Sequence, residues 1–317
     1  MKVTDILKNS EKKFASFELV PPLKGSDRSK LQQNLARLLE LQPPFVNFTC
    51  HRDEVQFVDN QDGSFKKITV SKRPSSLAIA AAVFQKFDIE LVPHVICGGA
   101  SKQKIENDLM DFSFLGIENV MALRGDAMIG QKNFVSETDG YSNAYQLVSH
   151  IADMNNGKYL DADLHQTVKT DFCIGVGAYP EKHRESPNLE TDILRLKQKV
   201  DAGANYIVTQ MFFDNQKFYN FVSMCRKSGI SVPIIAGLKP ISTLNQIHKL
   251  PQAFSIDIPQ ELVFEAQKCK SDKAVYELGI EWCATQSRDL LASGFNAIHY
   301  YTMGRAENII EIIKKSF

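Results

Sequence analysis

Eight short β-rich apolar runs alternate with helical stretches along the 317 residues of this chain, and no other feature narrows the fold as far. The runs are "FASFELV" (Phe14 to Val20), "FVNFTC" (Phe45 to Cys50), "ELVPHVIC" (Glu90 to Cys97) and "NVMALRG" (Asn119 to Gly125). They continue with "FCIGVGAY" (Phe172 to Tyr179), "YIVTQMFF" (Tyr206 to Phe213), "PIIAGLK" (Pro233 to Lys239) and "AIHYYTM" (Ala297 to Met303). Between them lie amphipathic segments with apolar residues three and four apart, such as "SKLQQNLARLLELQ" from Ser29 and "LETDILRLKQKVDAGA" from Leu189. A strand and a helix repeated eight times predict a closed TIM-type (β/α)8 barrel, an α/β fold in one domain over residues 1–317, rather than an open doubly wound sheet. No run is followed by G-x-G-x-x-G, so the Rossmann dinucleotide fingerprint is absent.

Two strand-to-helix connections are long: Arg52 to Arg73, which carries the turn-like "NQDGS", and Ala127 to Asn143. Connections of this length are expected to be functional lids or disordered segments, and both would emerge on the C-terminal face, where barrels keep their chemistry. A helical insertion, Pro259 to Ser271, precedes the long helix "DKAVYELGIEWCATQSRDLLASG" and the last strand. Lys plus Arg and Asp plus Glu number 37 each, which leaves no overall field to attract nucleic acid or an anionic membrane. The N-terminus "MKVTDILKNSEKKF" is interrupted by charges and does not read as a signal peptide. No apolar run approaches the ~20 residues that span a bilayer, so a soluble, cytoplasmic protein is expected. Six cysteines, Cys50, Cys97, Cys173, Cys225, Cys269 and Cys283, form no C-x-x-C pair and are expected to be buried thiols of a reducing compartment.

Polar residues cluster at the ends of the apolar runs. Glu18, Thr49, His94, Arg124 with Asp126, Tyr179, Gln210 and Arg305 all fall at or just after predicted strand ends, so a barrel would turn them toward one shared pocket. The run "NVMALRGDA" poses the sharpest case: Arg124-Gly125-Asp126 would serve as an adhesion signal only on an exported protein, and otherwise reads as a strand tail facing a ligand. The histidines His51, His94 and His183 show neither H-x-H nor H-E-x-x-H spacing, so no metal site is indicated. No G-x-S-x-G elbow is present either. What remains is a carboxylic acid able to donate a proton, an Arg-Asp pair and amide groups suited to a polar heterocycle. Such a set, without a strong nucleophile, points to cofactor chemistry.

Five motifs carry a resemblance through nearly the whole chain: "FELVPP" (Phe17 to Pro22), "ALRGD" (Ala122 to Asp126), "AYPEKH" (Ala178 to His183), "LKQKVDAGANYIVTQMFFD" (Leu196 to Asp214) and "FNAIHYYTMGRAE" (Phe295 to Glu307). In these residues, and in their order, the sequence resembles methylenetetrahydrofolate reductase of the short bacterial type. The resemblance implies a flavin-dependent barrel enzyme that reduces 5,10-methylenetetrahydrofolate to 5-methyltetrahydrofolate with NADH or NADPH, supplying methyl groups for methionine synthesis. It implies Glu18 as catalytic general acid. Thr49, His94, Arg124, Gly125, Asp126, Tyr141 with Ser142, Tyr179, His183, Asp192, Arg195 and Lys199 fall where the family holds FAD. Gln210, Gln246 and Arg305 match folate contacts, as do Glu18 and Asp126, the latter serving both flavin and pterin. A homo-oligomer is also expected.

Asp192, Arg195 and Lys199 are spaced i, i+3, i+7 and so share one helix face, which could supply charge-assisted hydrogen bonds to a diphosphate or could be a solvated charge stripe. The sequence departs from the family in places. Arg195 and Gln198 stand where some members have asparagine and arginine, and Leu250 where some bacterial relatives carry a ring-stacking phenylalanine. The expected reaction is ping-pong in one pocket, with Glu18 held protonated by burial so that it can open the methylene bridge. The rival readings are a flavin barrel of the proline dehydrogenase kind and a FAD-binding subunit of an electron-transfer complex.

Overall fold

A computed structural model describes residues 1–317 except Arg28, Gln61 and Ile129. The described residues form ten strands: β1 (Phe14–Leu19), β2 (Phe45–Phe48), β3 (Glu54–Asp59), β4 (Phe65–Val70), β5 (Glu90–Ile96), β6 (Asn119–Leu123), β7 (Cys173–Ala178), β8 (Tyr206–Thr209), β9 (Ile234–Leu238) and β10 (Ala297–Tyr301). Eight of them close into a barrel in the order β1-β10-β9-β8-β7-β6-β5-β2. Every barrel pairing recorded is parallel. Each of the eight predicted runs supplies one barrel strand.

The two-residue period of each strand divides its side chains between two environments. Ala15, Phe17 and Leu19 of β1 join Val46, Phe48, Ile174, Val176, Ala236, Leu238, Ile298 and Tyr300 in the large core between barrel and helices. The alternate positions Phe45, Val92, Met121, Cys173, Tyr206, Val208, Ile235 and Ala297 form a second, inner cluster. Val3 and Ile6 of the short helix Val3–Asn9 close that cluster at the N-terminal end of the strands. Above this apolar floor the same face of β1, β2, β5 and β10 turns polar, with buried Ser16, Asn47, His94 and His299. The barrel is therefore plugged at one end and polar toward the other.

Several expectations change. The connection 52–73 carries secondary structure that was not expected: β3 and β4 pair as an antiparallel hairpin separate from the barrel. The run at 206–213 ends as a strand at Thr209, since Met211 and Phe213 leave the barrel to pack with Ile247, Leu250, Leu262 and Val275. The expected insertion, Pro259 to Ser271, forms the helix Gln260–Lys268 before the long helix Asp272–Ala292, and it shares that cluster with the preceding helix Gln246–Phe254. Cys97, Cys173, Cys225 and Cys283 are buried, but Cys50 and Cys269 are only partly so. Among the described residues no helix is long and apolar enough to cross a membrane.

Candidate active site

At the C-terminal mouth of the barrel lies a cavity of about 1210 Å³, larger than the ~300–1,000 Å³ typical of a site for one small ligand. Twelve of the sequence-predicted positions line it: Glu18, Thr49, His94, the Arg124-Gly125-Asp126 run, Tyr179, His183, Asp192, Arg195, Lys199 and Gln210.

Glu18 is the fifth residue of β1 and stands in register with Tyr301 of β10 on one side and Asn47 of β2 on the other. Its side chain is 15% exposed, entirely at the cavity mouth, and the packed strand ends around it push its pKa up to about 8. The neighbouring His94 Nε2 lies 3.6 Å from Glu18 Oε2, beyond hydrogen-bonding reach. Burial and the nearby His51 lower the His94 pKa to about 3. Around neutral pH the pair is thus a carboxylic acid beside a neutral imidazole, not an ion pair, and His94 adds no positive charge that would strip the proton from Glu18.

Gly125 follows β6 with φ +83°, a conformation open to glycine and strained for other residues, and it lets Arg124 and Asp126 diverge into the cavity. Arg124 makes a two-pronged pair with Glu185, Nη1 to Oε2 at 2.6 Å and Nη2 to Oε1 at 2.9 Å, and its guanidinium lies 4.8 Å from the centre of the Phe134 ring. Asp126 is an exposed member of the wall.

The charge stripe on the helix Leu189–Asp201 does face the cavity, with Asp192, Arg195, Gln198 and Lys199 all in its wall. Their duties differ. Asp192 accepts from the His183 backbone N–H at 2.9 Å and from Ser186 Oγ at 2.9 Å, and so holds the loop after β7 in place. Arg195 Nη1 donates to Ser186 Oγ at 2.9 Å. Lys199 Nζ donates to the Gly177 carbonyl at 2.5 Å, and burial lowers its pKa to about 8 against the opposing pull of Asp192. The Tyr179 and His183 rings meet edge to face at 4.8 Å. Gln210 turns its Oε1 back to the Met211 N–H at 2.9 Å, leaving its NH₂ as the end offered to a ligand.

Four predicted residues lie outside the wall. Tyr141 is buried, its hydroxyl bonded to His150 Nδ1, while Ser142 is exposed and meets Ser136 Oγ at 3.2 Å. The cavity is lined instead by Asn143, Ala144 and Tyr145, where the capping box formed by Asn143 and Gln146 starts the next helix. Gln246 accepts from the Ser242 N–H at 2.8 Å and from Lys239 Nζ at 3.4 Å, and Arg305 is exposed beyond β10. The structure in turn supplies wall residues that pattern reading passed over. Glu185 is one, and Arg52, Arg73, Phe254 and Tyr301 are others. Cys50 also lines the cavity, with a thiol that burial pushes up and so keeps unreactive. Tyr301, one residue beyond "AIHY", was legible as a strand end, whereas Glu185 carries no signal without the fold.

Comparison with known proteins follows the same architecture. The family model for methylenetetrahydrofolate reductase matches residues 2–316. The curated methylenetetrahydrofolate reductase (NADH) 1 of Arabidopsis thaliana is 32% identical, covering 99% of this chain and 50% of the relative. The probable NADPH form of Caenorhabditis elegans is 30% identical, over 96% of this chain and 42% of the relative. The 5,10-methylenetetrahydrofolate reductase of Salmonella typhimurium is 29% identical, over 92% of this chain and 86% of the relative. The chain thus spans about half the length of the eukaryotic relatives and most of the bacterial one. Among solved structures, an uncharacterised Clostridium thermocellum protein that binds two copies of 5-methyl-5,6,7,8-tetrahydrofolic acid shares the fold at a TM-score of 0.60 and 16% identity, covering 98% of this chain and 96% of that one.

Proposed function

The chain belongs to the methylenetetrahydrofolate reductase family, and from that premise we propose that it reduces 5,10-methylenetetrahydrofolate to 5-methyltetrahydrofolate, with FAD in the cavity, NADH or NADPH as electron source and Glu18 as the acid. The observation that carries this reading is the placement of the Glu18 carboxyl, 15% exposed in the cavity wall among packed strand ends whose burial pushes its pKa up to about 8. The methylene bridge must open before it can be reduced, and opening requires a proton on the departing folate nitrogen. A carboxyl that keeps its proton at neutral pH is equipped to give it.

The wall also suits a flavin dinucleotide. Lys199 is a half-buried cation that donates to a neutral carbonyl, so a diphosphate would add counter-charge beyond that of Asp192. Arg195, Gln198, Tyr179 and His183 lie on the same side of the cavity, and its volume leaves room for a second planar ligand. Bound there, FAD supplies the two-electron redox chemistry that no side chain of the wall offers. Asp126 and the outward NH₂ of Gln210 provide an acceptor and a donor for a pterin edge. Neutral His94, 3.6 Å from Glu18, adds no positive charge that would draw the proton off the acid.

The test is spectroscopic. The purified protein is expected to be yellow, to bleach anaerobically with NADH or NADPH, and to recover its colour on addition of methylenetetrahydrofolate. A protein that takes up no FAD, or whose bleached form ignores the folate, would defeat the proposal.

A further inference from the structure

The cavity has an outer wall that the catalytic reading leaves unexplained. The helix Gln246–Phe254 ends at Phe254, whose partly buried ring lines the cavity, and the next residue, Ser255, turns the chain away at φ +55°. Tyr179, the residue after β7, lines the same cavity. Two residues after Tyr179 comes Glu181, and three after Phe254 comes Asp257. Lys217, on the helix Asn215–Lys227, bonds to both: its Nζ is 2.6 Å from Glu181 Oε2 and also pairs with Asp257 Oδ2. The Asp257 backbone N–H donates to the same Glu181 oxygen at 2.9 Å.

Solvation does not account for this arrangement. The Glu181 side chain is 10% exposed and its Oε1 is buried without a hydrogen-bond partner among the described residues, so the contact holds a carboxylate where water would otherwise be preferred. It joins three otherwise separate elements at the rim: the loop after β7, the helix Asn215–Lys227 and the segment after Phe254.

We propose that Lys217 is a positioning residue: by tying Glu181 to Asp257 it anchors the segment after Phe254, and with it the Phe254 ring in the cavity wall, and so sets the fit of the planar heterocycle that enters the cavity beside the flavin. The inference rests on the reading that two planar ligands share this cavity. An aromatic wall binds a flat ring well only when it is held in place, so a slackened latch weakens the second ligand and spares the first.

The experiment uses FAD-loaded protein titrated with tetrahydrofolate, which has no one-carbon unit to react, alongside steady-state kinetics. Lys217→Met is expected to raise the tetrahydrofolate Kd and the KM for methylenetetrahydrofolate roughly tenfold, with kcat and FAD retention near wild type. Lys217→Arg should restore most of the affinity. Phe254→Ala should reproduce the loss, and the double variant should lose no more than either single one, because both remove the same wall. A Lys217→Met protein that melts lower but binds tetrahydrofolate as wild type does would overturn the proposal, as would losses that multiply in the double variant. Wild-type protein that binds no tetrahydrofolate at all would instead bring down the functional reading on which the latch depends.

Discussion

Lys199 separates the two accounts of its helix. A solvated stripe lysine contributes nothing to a cofactor and little to the fold, whereas this one is half-buried in the cavity wall, with its pKa lowered to about 8. Its folded pKa lies below its unfolded value, so burial disfavours its charged form, and replacing it by an apolar side chain should not harm the empty protein. Lys199→Met is therefore expected to weaken FAD binding by about 1.5–3 kcal/mol, the worth of a hydrogen bond to a charged group, while the melting temperature of the FAD-free protein stays level or rises. Isothermal titration with FAD, paired with melting curves, checks both halves. Glu18 gives a second residue-scale expectation, with the opposite sign of shift. Its folded pKa is raised, so the stability it contributes is complete below about pH 4.5 and declines as pH rises through about 8. Denaturant midpoints of wild type and Glu18→Gln should differ little at pH 5 and diverge in favour of the variant by pH 8.5. The place of Glu18 in the cavity was legible in the sequence because the residue lies near the end of an apolar run. The absence of an ion pair with His94 was not, since it follows from how tightly two adjacent strands pack.

At the scale of elements, the barrel depends on glycines where strand meets strand. A Cβ on Gly237 of β9 would stand 2.0 Å from the Thr209 carbonyl oxygen and 2.8 Å from the Tyr301 ring, whose hydroxyl already donates to that carbonyl at 2.5 Å. Gly237→Ala must therefore part β8 from β9 or drive Tyr301 into the cavity, at a cost above the ~1–3 kcal/mol of ordinary overpacking. Gly63, in the β3–β4 turn with φ +83° and open space around it, should lose only about 1–2 kcal/mol on the same change. Urea unfolding of the two variants tests the contrast. Barrel strands were readable because burial on both faces leaves unbroken apolar runs. The hairpin was not, because Phe57 and Phe65 are exposed and Lys66 and Lys67 interrupt its pattern, so its alternation reflects pairing without burial. The helix Val3–Asn9 escaped notice for a related reason: in seven residues only Val3 and Ile6 are buried, too few for a helical period to show. Tyr141 fell outside the cavity because its hydroxyl is spent on His150, a partner nine residues on that sits on the next helix.

Taken whole, the molecule concentrates its unusual protonation states at one end of the barrel, with an apolar plug at the other. In the proposed reaction Glu18 supplies a proton to one half only: reduction of a bound flavin by NADH or NADPH would ask nothing of that proton, while reoxidation by methylenetetrahydrofolate would require it. Glu18→Gln keeps the size and hydrogen bonding of the side chain and removes the acid. Stopped-flow traces of the two half-reactions in wild type and variant decide the matter most directly. The account predicts that flavin reduction stays within a few-fold of wild type, while reoxidation slows by roughly a hundred- to ten-thousand-fold, the range for a lost general acid. Equal slowing of both halves, or unimpaired reoxidation, would contradict it.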